Sequence, residues 1–306
     1  MDVPLSPKQG TPLAFFTLVL GCFLWGSALS VVKIALVDYD PVFLVFCRMF
    51  IAALVLTPIV LIKFRPIRLY RKTDLLLLLL LTVCDPVGFF FFEAMALQYT
   101  SASQAGMMWA LAPMLNMAAA WVILRERTTL PVIICFVVAM AGVGMLTVTG
   151  EVSGHASNPV LGNFLEFLSL CGAAGFVVIL RFLRGRYPAL FVVWVQSVLA
   201  TFVFLPTLAL DAVTLPTEFN LIPFLTMLYL AVCVSLGAQA CSAYALGRIP
   251  VPRFAAISNI TPIFGLLTGL ILLGEELLPL QWVACVIVLG AVVVSQRFQK
   301  GVGEEG

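Results

Sequence analysis

The chain has 306 residues, 62% of them hydrophobic and only 10% charged, with a mean hydropathy of +1.12 and a net charge of +2. A soluble protein carries about 25% charged residues, so this composition excludes a soluble domain and describes an integral membrane protein. The net charge says little about partners, but no basic run is interleaved with exposed aromatics, so no nucleic-acid partner is expected.

About 20 apolar residues cross a bilayer as a helix. Ten such segments follow one another at 12–34, 41–63, 75–97, 101–123, 131–149, 160–182, 189–209, 221–246, 251–273 and 280–297, with the longest connections at 63–74, 150–159 and 210–220. The first is preceded by a lone Lys8 and followed by no small-residue cleavage site, so it reads as a retained helix rather than a signal peptide. It carries Trp25-Gly26. The second carries Arg48, and the third Asp85-Pro86, Phe89 to Phe92 and Glu93. The fourth holds Trp109, Pro113 and Asn116 and ends at Glu126. A polar stretch, Gly150 to Pro159, then divides the chain. In the sixth, Glu166 shares a stripe with Gly162, Ser169 and Ala173, and Gly175 follows. The eighth has Ser235, Gln239 and Ser242 at i, i+4 and i+7; the ninth has Ser258, Asn259 and Thr261 beside Pro262, then Gly265-x-x-x-Gly269 and Glu275. The eight cysteines all fall in apolar segments without a Cys-x-x-Cys, and read as small buried hydrophobes rather than disulfides or metal ligands.

An offset of 149 residues lays the second half on the first. Pro113 falls on Pro262, Glu126 on Glu275, Gly26 on Gly175, Gly88 on Gly237 and Ala96-Leu97 on Ala245-Leu246. Each half has five spans, an odd number, so the halves enter the membrane from opposite sides. The expected fold is all-α, ten transmembrane helices as two inverted five-helix repeats, residues 1–150 and 151–306. This is the ground plan of a transporter with one central site exposed alternately to two faces. With the N-terminus in the cytoplasm, 15 of the 17 basic residues fall in inside loops or termini, and the loop acids Asp38, Asp40, Glu151, Asp211, Glu218, Glu275 and Glu276 fall outside. Both termini are therefore expected to be cytoplasmic.

The run Ala96-Leu97-Gln98-Tyr99-Thr100-Ser101-Ala102-Ser103-Gln104-Ala105, then Pro113 and Leu124-Arg125-Glu126-Arg127, resembles the EamA-type branch of the drug/metabolite transporter superfamily. Trp25-Gly26, Arg48, Pro262 and Leu273-Gly274-Glu275 fit the same pattern, so the resemblance covers nearly the whole chain. It implies helices 1–4 and 6–9 around a central cavity, helices 5 and 10 at the periphery, and export of small metabolites or amino acids across a bacterial inner membrane. Two features depart from it: Arg-Glu-Arg where Gly-Glu is usual, and the Asp85-Pro86 and phenylalanine run of helix 3.

Ionisable groups inside a bilayer are costly and are either functional or paired. Asp85 is expected at the midplane, with Arg48 about 6 Å, Glu166 about 7 Å and Glu93 about 10 Å toward the outer face. Arg48 and Glu93 read either as a structural ion pair or as a substrate-carboxylate and proton-loading pair. Asp85 has no evident basic partner at its depth, although Arg48 could reach it, and this suits proton coupling. Glu166 fits either a wet cavity or close packing. Trp109, Gln239 and Asn259 complete the candidates for substrate binding or coupling. Glu126 and Glu275, at symmetry-related helix ends, are expected to cap backbone or pin a framework or gate; Trp25, Gly26, Pro113, Gly175 and Pro262 are expected to be hinge or packing positions. No cofactor or metal is expected. The only histidine is His155, and neither a Gly-x-Ser-x-Gly nor a phosphate loop is present, which argues against an intramembrane enzyme. The inverted repeat argues against a channel. The expected function is export of a small molecule such as an amino acid, proton-linked or facilitated, with a homodimer compatible. A sugar-phosphate or nucleotide-sugar exchanger and a cationic-drug exporter are the alternatives within the superfamily.

Overall fold

The computed structural model describes residues 12–63, 72–125, 129–150, 156–183 and 186–300. Among them are ten helices long and apolar enough to cross a membrane and no strand. They are α1 (Pro12–Ala35), α2 (Pro41–Lys63), α3 (Thr73–Tyr99), α4 (Ala102–Leu124), α5 (Leu130–Val148), α6 (Pro159–Leu183), α7 (Ala189–Ala209), α8 (Leu221–Leu246), α9 (Arg253–Leu272) and α10 (Pro279–Phe298). The protein is an integral membrane protein, and its spans lie within a few residues of those expected. Hydrocarbon offers no hydrogen-bond partner, so long apolar runs satisfy their backbone internally as helices.

Proline and left-handed residues set many helix ends. Pro12, Pro41, Pro159 and Pro279 open helices, where the missing N–H is harmless. Arg125 (φ 54°) and Gly274 (φ 63°) stop α4 and α9. They are equivalent under the 149-residue offset, so one repeat has glycine at this left-handed site and the other has arginine.

The helix breaks also repeat. α3 widens to a π-helical turn at Val83–Gly88, where Asp85 is extended (φ −148°, ψ 120°). α8 does the same over Tyr229–Ala238, which contains the equivalent residues 232–237. Pro86 interrupts the first; in the second, the Ser235 hydroxyl donates 3.0 Å back to the Leu230 carbonyl. α4 tightens at Trp109–Leu111 just before Pro113, and α9 breaks between Val251–Ser258 and Thr261–Leu272 just before Pro262.

The bundle has a linker end, where α1 stops and α2 starts, and a terminal end, where α1 starts and α10 stops. Toward the linker end, α4 and α9 share a core: Met107 packs with Leu266 and Leu270, and with Leu146, Ala284 and Cys285 of α5 and α10. Beyond their kinks the two helices diverge. Met114 and Leu115 of α4 join α5, α6 and α10. Phe254 and Ile257 of α9 join Ala14, Leu18 and Cys22 of α1 and Ala245 of α8. α5 and α10 lie along each other, so close that a Cβ on Gly142 would stand 2.8 Å from Val288 Cγ2. The cysteines are free, but Cys171 and Cys233 are exposed on the outer surface rather than buried as expected.

Candidate substrate site

Six helices bring polar groups to one buried cluster. Arg48 of α2 is 4% exposed. Its Nε donates to Ser235 Oγ of α8 at 2.8 Å, its Nη1 lies 3.8 Å from Glu93 Oε2 of α3, and its Cζ sits 3.8 Å above the Phe90 ring. Asp85, on the extended break in α3, lies within electrostatic range of Arg48. The Asp85 carbonyl accepts from Gln196 Nε2 of α7, which fixes the break.

Glu166 of α6 has no exposure. Its Oε1 accepts from Trp109 Nε1 of α4 at 2.8 Å, and it lies within electrostatic range of Glu93. Phe89 meets the Trp109 ring edge-on at 5.7 Å and the Phe90 ring at 5.0 Å. Ser169, one turn from Glu166, donates to the Phe89 carbonyl at 3.0 Å. Two buried oxygens are left without a hydrogen-bond partner, Glu93 Oε1 and Glu166 Oε2. Buried acceptors are almost always satisfied, and each left alone is destabilising by about 1–3 kcal/mol. The arrangement is one guanidinium, three carboxyl groups and an aromatic wall, with two acceptors that meet no hydrogen-bond partner among the described residues.

Of the candidate residues, the structure brings Arg48, Asp85, Glu93, Trp109 and Glu166 together. Gln239 is exposed, and Asn259 lies half-buried at the α9 break. Neither has a described hydrogen bond to the cluster. Ser235 takes the place expected of Gln239. The π-helical stretch explains this, because the wider turn upsets the angular spacing on which i, i+4, i+7 rests. α5 and α10 contribute no group to the cluster.

The framework residues lie elsewhere. Gly26 lets α1 touch α9: a Cβ there would stand 2.6 Å from Phe264 Cβ. Gly175 lets α6 touch α3, where a Cβ would be 2.9 Å from Cys84 Sγ. Trp25 packs against the core shared by α1, α2, α3, α4, α7 and α8. Pro113 and Pro262 follow the two helix breaks. Glu275 accepts from the backbone N–H groups of Ala102 and Ser103. Glu126 lies outside the described residues. The sequence reading missed a second buried ionic group. Asp74, at the start of α3, takes Arg186 Nη1 at 2.7 Å and the Tyr187 hydroxyl at 2.8 Å, tying the α6–α7 turn to α3. In the sequence, Asp74 and Arg186 look like ordinary loop charges flanking spans.

The EamA-like transporter family matches residues 12–148 and again residues 160–296. An uncharacterized transporter of Bacillus subtilis (strain 168), YcxC, is 29% identical over 94% of this chain and 93% of its own. A second from the same organism, YetK, is 24% identical over 92% of this chain and 86% of its own. The S-adenosylmethionine/S-adenosylhomocysteine transporter of Chlamydia muridarum (strain MoPn / Nigg) is 25% identical over 95% and 94%. One solved crystal structure shares the fold, with TM-score 0.62 at 18% identity over 94% of this chain and 98% of that one.

Proposed function

Since the chain belongs to the EamA-like transporter family, we propose that it exports a small zwitterionic metabolite, an amino acid or a derivative of one, by alternating access. The observation that carries this reading is the pair of unpartnered buried oxygens, Glu93 Oε1, on the carboxylate beside the Arg48 guanidinium, and Glu166 Oε2. An α-amino acid has one group for the guanidinium and one for the two oxygens: the carboxylate meets the Nη groups of Arg48, and the ammonium meets Glu93 and Glu166. Trp109, Phe89 and Phe90 form the apolar wall for its side chain and add attraction for a cation. With three carboxyl groups against one guanidinium, the empty cluster balances its charge by holding protons. An arriving ammonium releases them, which couples export to proton uptake. The Chlamydia relative, named for substrates that carry an amino-acid group, supports the class. The excess of acid favours one second reading, a cationic compound without a carboxylate. The single guanidinium disfavours organic phosphates, which need several cations.

The basic loops support cytoplasmic termini, and the bacterial relatives support a bacterial inner membrane. The test is counterflow in proteoliposomes with labelled amino acids, amines and sugar phosphates. Saturable counterflow of an amino acid is expected. Glu166→Gln, which keeps an acceptor for Trp109, should weaken it by roughly tenfold to a hundredfold, the worth of one charged hydrogen bond. Counterflow of sugar phosphates alone would sink the reading. Counterflow of amines unaffected by Arg48→Ala would favour the second one.

A further inference from the structure

The first N–H groups of a helix have no partner inside it. In α4 the three that follow the N-cap Ser101 are all supplied. Ala102 N donates to Glu275 Oε1 at 2.7 Å and Ser103 N to Glu275 Oε2 at 2.8 Å. Gln104 N donates to Ser101 Oγ at 3.2 Å, and the regular helical bonds begin with Ala105 N donating to the Ser101 carbonyl at 3.1 Å. Two of these three cap bonds therefore come from the other repeat, as a buried carboxylate at the positive end of the helix dipole. Glu275 Oε1 is also 3.9 Å from Lys33 Nζ of α1, and that ammonium donates to the Thr100 carbonyl. Nearby, Ser30 Oγ donates to Thr268 Oγ1 at 3.0 Å, and a Cβ on Gly106 would stand 2.8 Å from the Gly265 backbone. α1, α4 and α9 are thus pinned together at the linker end by one carboxylate, one ammonium, a hydroxyl pair and a glycine contact.

The 149-residue offset says what stands at the terminal end in place of each group. Glu126 corresponds to Glu275, and residues 251 and 252 to 102 and 103, but Pro252 has no N–H to give. Phe182 stands for Lys33, Ile179 and Ala119 for Ser30 and Thr268, and Ala255 and Asn116 for the two glycines. Of the residues that make the clasp, the offset positions in the sequence keep only the glutamate.

We infer that Glu275 is the latch of the linker-end gate and that the two gates are unequal, so that the empty protein rests closed at its linker end and receives substrate from its terminal end. With cytoplasmic termini, that end is the loading side of an exporter. Opening the linker end requires the carboxylate to leave two N–H groups and an ammonium at once. Closing the terminal end returns fewer such bonds, so bound substrate has to make up the difference. The inference rests on the alternating-access reading above. That reading fails if both ends open together, whereas this one fails if they alternate without regard to Glu275.

Hydrogen exchange of the purified protein, followed in peptides covering 101–106 and 251–258, separates the cases. The amides of Ala102 and Ser103 have no helical acceptor, so their protection reads the latch directly. In the wild type, slow exchange is expected at 101–106 and faster exchange at 251–258. Glu275→Gln or Lys33→Gln should speed the first, on the order of tenfold for loss of a charged cap, and slow the second. A variant carrying Pro252→Ser and Phe182→Lys, which installs missing groups at the terminal end, should move both peptides the same way. Faster exchange at 101–106 in the latch variants with no change at 251–258 would make Glu275 a helix cap alone. Unchanged exchange at both peptides in the Pro252→Ser/Phe182→Lys variant would overturn the inequality of the gates.

Discussion

At the scale of single residues, the bilayer makes charge conspicuous. Arg48, Asp85, Glu93 and Glu166 stand out in the sequence because hydrocarbon tolerates few such groups, and the structure gathers all four. Their mutual contacts are less legible, since depth along a helix says nothing of azimuth once the helix is broken. Arg48→Met should destabilise by about 3–5 kcal/mol, because it strands Glu93 and Asp85 as uncompensated buried groups. Adding Glu93→Gln should restore part of that loss, and chemical unfolding in detergent would detect the recovery. A double variant less stable than the single one would show that Glu93 is not the main partner of Arg48. A second residue-scale prediction concerns Arg125, which is held at φ 54° where its counterpart is Gly274. Arg125→Gly should stabilise by about 1 kcal/mol, seen as a higher Tm, because only glycine takes this conformation without steric penalty. A lower Tm would mean that the arginine side chain contributes more than its backbone strain removes.

At the scale of elements, hydropathy alone locates the ten spans, since every backbone group in lipid must be satisfied within a helix. The breaks within those spans are legible only in part. Pro113 and Pro262 announce theirs, whereas the widened turn in α8 contains no proline and carries a Ser235 hydroxyl bonded five residues back. This is why Ser235 rather than Gln239 reaches Arg48. The α4–α9 contact offers a direct test. Gly106→Val places a side chain 2.8 Å from the Gly265 backbone and should destabilise by about 1–3 kcal/mol while loosening the linker end. Gly144→Ala is the matched control: a Cβ there meets nothing within 4 Å, so no loss of Tm is expected. Equal losses in both variants would remove the seam as the cause.

At the scale of the whole molecule, the repeat was legible as an offset of 149 residues, and the structure extends it to conformations. Equivalent helices break at equivalent places, and equivalent ends carry a left-handed residue, arginine in one repeat and glycine in the other. The asymmetry between the ends was not legible, because it depends on which atoms Glu275 reaches. Cysteine pairs test the alternation in a background without native cysteines. Ser30→Cys/Thr268→Cys should crosslink across the linker end and arrest transport, and Ala255→Cys/Asn116→Cys should not crosslink in the same molecule at the same time. Simultaneous crosslinks at both ends would exclude alternating access.

The pairing of α5 with α10 has a consequence of its own. Under the offset these two helices exchange places, so their contact maps onto itself. On the alternating-access reading the two halves trade conformations, and the α5–α10 seam is then the same before and after. In that reading it would work as an axle: changes there would shift the stability of both states alike and leave the balance between them untouched. A fluorophore or surface tether fixed to the outer face of this pair would therefore hold the molecule still while the rest of it turns.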